Sequence, residues 1–176
     1  VAEEEDSIAV HAPAARDSYR IDFDFRLRAR TEPVTFGKSG VGGLAVRMPW
    51  EKANPRQTHL NADGFRGREC ERKRAAWCNV ERPFGDEIFG IAVFDHPNNP
   101  DHPSGWRVDE QCLINPSVTA LKEWSIPAGQ ECAFRYRILV YRGPGTAEVL
   151  NREFAAFATE PEASKAGISS RQAEAK

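Results

Sequence analysis

The densest group of side chains able to do chemistry lies in Phe94–Trp106, FDHPNNPDHPSGW. It holds two imidazoles (His96, His102), two carboxylates (Asp95, Asp101), two amides (Asn98, Asn99) and the indole of Trp106. An imidazole titrates near neutrality and can serve as general acid or base. Asparagine amides can hold hydroxyl groups, and an indole face can stack on a sugar ring. Pro97, Pro100 and Pro103 stiffen the segment, which lowers the entropy cost of holding polar groups in place. Two other readings use the same residues. Asp and Asn can cap their own backbone in an ordered turn. His96 and His102, with Asp95 and Asp101, can also ligate a metal, although six residues on a loop is not a diagnostic spacing.

Other candidates are single charges in apolar surroundings. Arg47 interrupts an oily run, and Lys73 and Arg74 open a strand that continues into Ala75, Ala76 and Trp77. Each either points to solvent or reaches into a polar cleft. His11 and His59 fall in segments with little expected order and read as surface residues. Arg66, Arg68 and Arg72 are offset by Glu69 and Glu71, the pattern of a solvated face. The chain contains no GxSxG, HExxH, GxxxxGK[ST] or strand-to-helix GxGxxG. The GVGG at Gly40–Gly43 has no helix after it to hold a phosphate, and reads as a turn.

The elements that must position these residues are mostly strands. Ile21, Phe23, Phe25, Leu27 and Ala29 alternate with Asp22, Asp24, Arg26, Arg28 and Arg30, one oily face against one charged face. Further strands are predicted at Leu44–Met48, Lys73–Val80, Ile88–Phe94, Trp106–Val108, Cys112–Ile114, Leu121–Ile126 and Cys132–Tyr141. Pro49–Arg72 reads as irregular, and Pro83, Gly85 and Asp86 as a hairpin turn. In the last strand Cys132, Phe134, Tyr136, Ile138 and Val140 share a face, while Arg135 and Arg137 point the other way. Val149, Leu150, Phe154 and Phe157 fall at helical spacing, which predicts a helix over Thr146–Ala158. Short antiparallel strands and one late helix predict a mainly β fold, an antiparallel β-sandwich with charged strand faces outward. Residues 1–17 are expected to be a flexible segment, 18–158 the domain, and 159–176 a disordered tail.

Composition narrows the function. The chain has 176 residues, 40% hydrophobic and 28% charged, and its 24 basic against 26 acidic residues leave a net charge of −2. That balance offers no global attraction for nucleic acid, and no apolar run is long enough to span a membrane. Cys70, Cys78, Cys112 and Cys132 form no CxxC pair, and small buried thiols are expected rather than a disulfide framework. The compartment stays open. The start at Val1 is expected to reflect processing or a piece of a longer protein.

Four blocks carry a family resemblance: GGLAVRM (Gly42–Met48), RKRAAW (Arg72–Trp77), GIAVFDHPNNPDHPSGW (Gly90–Trp106) and FRYRILVYRG (Phe134–Gly143). In order and spacing they resemble the bacterial methane oxygenase PmoA family, over roughly Ser18 to Ala158. The resemblance implies a sandwich of the galactose-mutarotase supersandwich kind, found among sugar-metabolising functions. Members carry a preceding His-His segment that nothing before Ser18 matches, so the chain reads as the C-terminal portion of that domain. Past Trp106 the match weakens, at Asp109-Glu110-Gln111-Cys112. The implied reading is a carbohydrate-active or carbohydrate-binding sandwich. In it His96 is the acid/base, Asn99 a hydroxyl ligand and Trp106 a stacking platform, with Arg47 and Lys73 as charged contacts across a cleft. The alternatives are a non-catalytic binding or structural module and an oxygenase, the latter alone needing copper or iron. No other cofactor is expected. A saccharide or other small molecule is the expected partner, with self-association through exposed sheet edges as a further expectation.

Overall fold

A computed structural model of the chain describes residues 2–12, 17–50 and 56–161. Its strands are β1 (Ala2–Val10), β2 (Ser18–Ala29), β3 (Val34–Phe36), β4 (Val46–Arg47), β5 (Thr58–Asn61), β6 (Trp77–Phe84), β7 (Glu87–Asp95), β8 (Gly105–Val108), β9 (Leu113–Ser117), β10 (Trp124–Ile126) and β11 (Glu131–Arg142). One helix follows, α1 (Ala147–Thr159), capped by the Thr146 hydroxyl, which accepts from Val149 N–H. An antiparallel six-stranded sheet runs in the order β1-β2-β11-β7-β6-β5. A three-stranded sheet, β4-β9-β8, and a two-stranded sheet, β10-β3, complete a mainly β, antiparallel architecture.

The period-two pattern gives each long strand two working faces. On the inner face Phe25, Cys78, Val80, Val93, Phe134 and Tyr136 pack against Trp106, Val108, Ile114 and Met48. On the outer face Leu60, Trp77, Ala92, Phe94, Leu139 and Tyr141 lie beneath Leu150, Phe154 and Phe157 of α1. The β6–β7 hairpin closes on two residues, and Gly85, at φ 62°, supplies the positive φ such a turn needs at its first position.

Several expectations are corrected. Residues 2–10, expected to be flexible, form β1. Its glutamates have low strand propensity, but the register sets Glu3 opposite Arg28 and Glu5 opposite Arg26, and Glu3 pairs with Arg30. Cross-strand opposite charges stabilise a pairing that the segment alone would not favour. The charged face is not outward where α1 crosses it: Arg135 and Arg137 of β11 are 8% and 3% exposed, roofed by Phe157, while Arg28 of β2 stays exposed. The irregular stretch 49–72 contains β5 and a 3-10 turn at Gly67–Cys70, and β3 was not foreseen. The strand expected at Leu44–Met48 is two residues long, and the one expected from Lys73 begins at Trp77. Residues 162–176 of the expected tail lie outside the described residues. No helix among the described residues is long and apolar enough to cross a membrane.

Candidate functional site

The polar segment after β7 is organised, but as a clasp. Asp95 is fully buried, and its carboxylate accepts from Asn99 Nδ2 (2.7 Å), His102 Nδ1 (3.0 Å) and the Ser104 amide (2.8 Å). Asn99 extends the sheet ladder past the end of β7: its Nδ2 donates to the Arg135 carbonyl (2.8 Å) and its Oδ1 accepts from Arg135 N–H (2.7 Å). Asn99 is 5% exposed, and its amide reaches no open surface as a hydroxyl ligand would. His96 is 2% exposed, edge-on to Phe157 at 5.0 Å. Its Nδ1 accepts from Asn98 N–H (3.1 Å), and its Nε2 lies 3.3 Å from a guanidinium nitrogen of Arg135. The ring is thus packed between Phe157 and the Arg135 guanidinium. The dyad that does form is Asp95–His102, a pairing the sequence reading did not single out. The His102 ring is held from both sides, by Asp95 at Nδ1 and by stacking on Phe154.

The remaining expected site residues do not converge on this segment. Trp106 cannot be a stacking platform. It is fully buried in the inner core, and its indole N–H donates to the Ala75 carbonyl (2.8 Å). Arg47 is exposed on β4, bonded to Gln111 and to Asp109 (3.3 Å). Lys73 places its ammonium 5.0 Å from the Phe65 ring centroid. The four cysteines are free thiols, three of them buried. No group of three or more His, Cys, Asp or Glu side chains among the described residues could hold a metal ion.

A cavity of about 190 Å³ lies elsewhere, between the six-stranded sheet and β3/β10. Phe25 and Leu27 of β2 and Phe134 and Tyr136 of β11 form one wall, with Phe25 and Phe134 stacked at 4.6 Å. Trp124 of β10 and Phe36 of β3 form the opposite wall, stacked on each other at 5.5 Å because the register sets them across from one another. The glycine-rich turn supplies the rim. Asn115 holds it through Gly42 N–H (3.2 Å) and the Gly42 carbonyl (2.9 Å), and Ser39 and Thr119 exchange further bonds. A Cβ on Gly42 would come to 3.0 Å from the Thr119 hydroxyl and 3.2 Å from that of Ser117, so a larger residue there would crowd the rim. Tyr136 turns its ring to the cavity and its hydroxyl away. Burial raises that hydroxyl well above the ordinary tyrosine range, the Asp95 carboxylate adds to the rise, and the Ser104 hydroxyl opposes it. The phenol is therefore neutral at any physiological pH. Phe36 and Trp124 were missed because a three-residue strand leaves no readable period; the only signal was an isolated aromatic in each of two weak segments.

Comparison with known proteins adds one finding. A family of unknown function (DUF6807) matches residues 1–155, and the chain belongs to it. This overturns the resemblance to the methane oxygenase PmoA family: the matching family carries no oxygenase description, and the match starts at residue 1 rather than near Ser18. No curated protein and no solved structure matches the chain.

Proposed function

We propose that this member of a family of unknown function is a small-molecule-binding module, non-catalytic, whose ligand is a single largely apolar ring held in the aromatic cavity. The observation that carries the reading is the cavity itself, about 190 Å³ walled by Phe25, Phe36, Trp124, Phe134 and Tyr136. An apolar cavity of ~150 Å³ takes up benzene, so this one suits a six-membered ring with a small substituent. The hydroxyls of Ser39 and Thr119 at the rim can orient one polar edge of that ring. A monosaccharide has the right size and could lay its CH face on Trp124. The lining offers too few polar partners for a full set of hydroxyls, which favours the more apolar ring. Against catalysis stand the enclosed His96 and the buried Trp106.

The test is isothermal titration of the chain with p-cresol and with methyl β-glucoside, repeated on Trp124→Ala. At roughly 0.5–0.85 kcal/mol per non-hydrogen atom, well under the small-molecule ceiling of about 1.5, a Kd on the order of 10–1000 μM is expected for p-cresol. Binding that disappears in Trp124→Ala supports the site. Binding of the glucoside alone moves the ligand class to saccharides, and binding of neither overturns the reading.

Self-association belongs to the same proposal, with a second copy as the partner. The inner face of the large sheet continues beyond the smaller sheets as an apolar stripe, with Ile8 62%, Val10 69%, Tyr19 42% and Phe84 37% exposed. The register places Ile8 opposite Phe23 and Val10 opposite Ile21, so the stripe is continuous with the core, and the outer edge of β1 pairs with no strand among the described residues. Light scattering that shows a monomer at every accessible concentration removes this element.

A further inference from the structure

The fold brings the thiols of Cys70 and Cys78 together. Cys70 ends the 3-10 turn Gly67–Cys70 and Cys78 lies in β6, and both are fully buried in the inner core. The chain reversal after β5 makes the meeting. Asn61 stands across from Cys78 in the β5–β6 ladder, and its N–H donates to the Phe65 carbonyl (3.1 Å) as the chain folds back. The Cys70 thiol donates to that same carbonyl, with its sulfur 3.2 Å from the oxygen, which seats Cys70 at the end of β5 beside Cys78. The two thiols are hydrogen-bonded to each other. No bond from another thiol acts on Cys112 or Cys132 among the described residues.

The two positions differ in reactivity and in access. The hydrogen bond from Cys78, against the opposing effect of burial, holds the Cys70 thiol below its ordinary 9.0. Burial, and then the Cys70 sulfur, push Cys78 well above that value. The thiolate is the attacking form, so Cys70 is the nucleophile of the pair. Cys70 also sits on the element that opens more easily. Arg66, Arg68 and Glu69 are exposed, a Cβ on Gly67 would meet nothing within 4 Å, and the Glu69, Glu71 and Lys73 amides donate only to neighbouring carbonyls of the turn, those of Arg66, Arg68 and Cys70. Such a segment lifts by local unfolding, while Cys78 stays paired between β5 and β7.

We propose that Cys70 and Cys78 are a reversible dithiol–disulfide pair, oxidised by a low-molecular-weight disulfide such as that of glutathione. The Cys70 thiolate attacks one sulfur of that disulfide. Its S–S bond breaks, one glutathione leaves and takes up the proton that Cys70 released, and a mixed disulfide forms at Cys70. As the turn closes, the Cys78 sulfur gives up its proton and attacks the Cys70 sulfur, and the second glutathione leaves with that proton. Two protein thiols are oxidised by two electrons, and one small disulfide is reduced to two thiols. The product fastens the turn to β6. Arg68 and Glu71 of the same segment hold β8 through the Val108 carbonyl (3.1 Å) and amide (2.7 Å), so the bond ties the three-stranded sheet to the six-stranded one.

The experiment is incubation of the folded, reduced chain in glutathione buffers of rising disulfide share, quenched with N-ethylmaleimide and read by mass spectrometry. Oxidation is expected to consume two of the four thiols, and dithiothreitol to restore them. Tryptic cleavage at Arg72, Lys73 and Arg74 then yields a peptide holding Cys70 joined to a peptide holding Cys78. Cys78→Ala is expected to stop at the glutathione adduct of Cys70, and Cys70→Ala to leave Cys78 unmodified. The bond closes a loop of about nine residues, so the oxidised chain is expected to melt about 5 °C or more above the reduced one. All four thiols retained at every ratio, a pairing that takes in Cys112 or Cys132, or an oxidised chain that melts no higher than the reduced one overturns the proposal. These wild-type readouts decide it even where an alanine variant fails to fold.

Discussion

The charged seam beneath α1 makes a sharp prediction about what holds the helix on the sheet. Arg137 donates from Nε and Nη2 to the two oxygens of Asp22 (2.6 and 2.8 Å) and from Nη1 and Nη2 to those of Glu160 (2.7 and 2.5 Å). Its side chain is 4% exposed, Asp22 is 15% exposed and Glu160 44%. Removing one member of a buried pair costs roughly 3–5 kcal/mol, because the partner is left charged and unsolvated. Here Glu160 can turn to water and Asp22 retains His11 at 2.8 Å, so the low end applies, and Arg137→Met is expected to cost about 3 kcal/mol. For a chain of this size that is a fall in Tm of roughly 6–12 °C. Arg20–Glu153 crosses the same seam but is 35% and 19% exposed, so Arg20→Met should cost about 1 kcal/mol or less.

The assay is urea denaturation of both variants across acid pH. Burial opposes ionisation of Asp22, but the hydrogen bonds from Arg137 and His11 outweigh it and hold the carboxyl below its ordinary 3.8. The Arg137 hydrogen bond, against the opposing effect of burial, likewise holds Glu160 below its ordinary 4.5. A carboxylate with a lowered folded pKa stabilises fully above its unfolded value and loses that stabilisation as pH falls through the folded one. The wild type should therefore weaken as pH drops below about 4.5, and Arg137→Met should weaken much less over the same interval. If Arg137→Met loses less than about 1 kcal/mol and keeps the wild-type acid limb, the apolar contacts of Leu150, Phe154 and Phe157 hold α1 alone, and the argument from the seam fails.

Three further predictions use the same denaturation measurement. Burial holds the His59 ring below its ordinary 6.5, against the Leu113 carbonyl, which raises it; the unfolded chain therefore takes up the proton first, stability falls as pH drops below about 6.5, and His59→Gln should flatten that slope. A Cβ on Gly90 would lie 2.2 Å from the Tyr141 ring, so Gly90→Ala should cost about 1–3 kcal/mol by overpacking. Asp95→Ala leaves Asn99 Nδ2, the Ser104 amide and the half-buried His102 Nδ1 without their shared acceptor and should cost about 3 kcal/mol, with faster amide exchange at Ser104; a loss below about 1 kcal/mol would show that the clasp is not structural.

What could be read from the residues, and what could not, divides along physical lines. The alternation in β2 and β11 is a property of the chain, so both strands, their oily faces and the β6–β7 hairpin were legible. The spacing of Val149, Leu150, Phe154 and Phe157 likewise set out α1. What lies over a face is a property of the fold, so Arg135 and Arg137 read as surface residues although α1 buries them. β1 failed for a related reason, since its stability comes from arginines on another strand. The segment from Asp95 to Ser104 was correctly seen as organised. Residue types alone could not show that its hydrogen bonds turn inward, to Arg135 and Ser104, rather than toward a ligand.

The same alternation ties the aromatic cavity to the rest of the sheet. β11 lines the cavity with Phe134 and Tyr136 on its inner face, and on its outer face Arg135 and Arg137 lie beneath Phe157 of α1. Inner and outer residues of one strand move together, because a change of register by one position exchanges the faces. Damage to the pairing of Asn99 with Arg135 should therefore weaken p-cresol binding although neither residue lines the cavity. Trp124→Ala should remove that binding while the chain still unfolds cooperatively. Loss of cooperative unfolding in Trp124→Ala would mean that the cavity is not a site on a rigid sheet, and would point instead to a fold that yields as a whole.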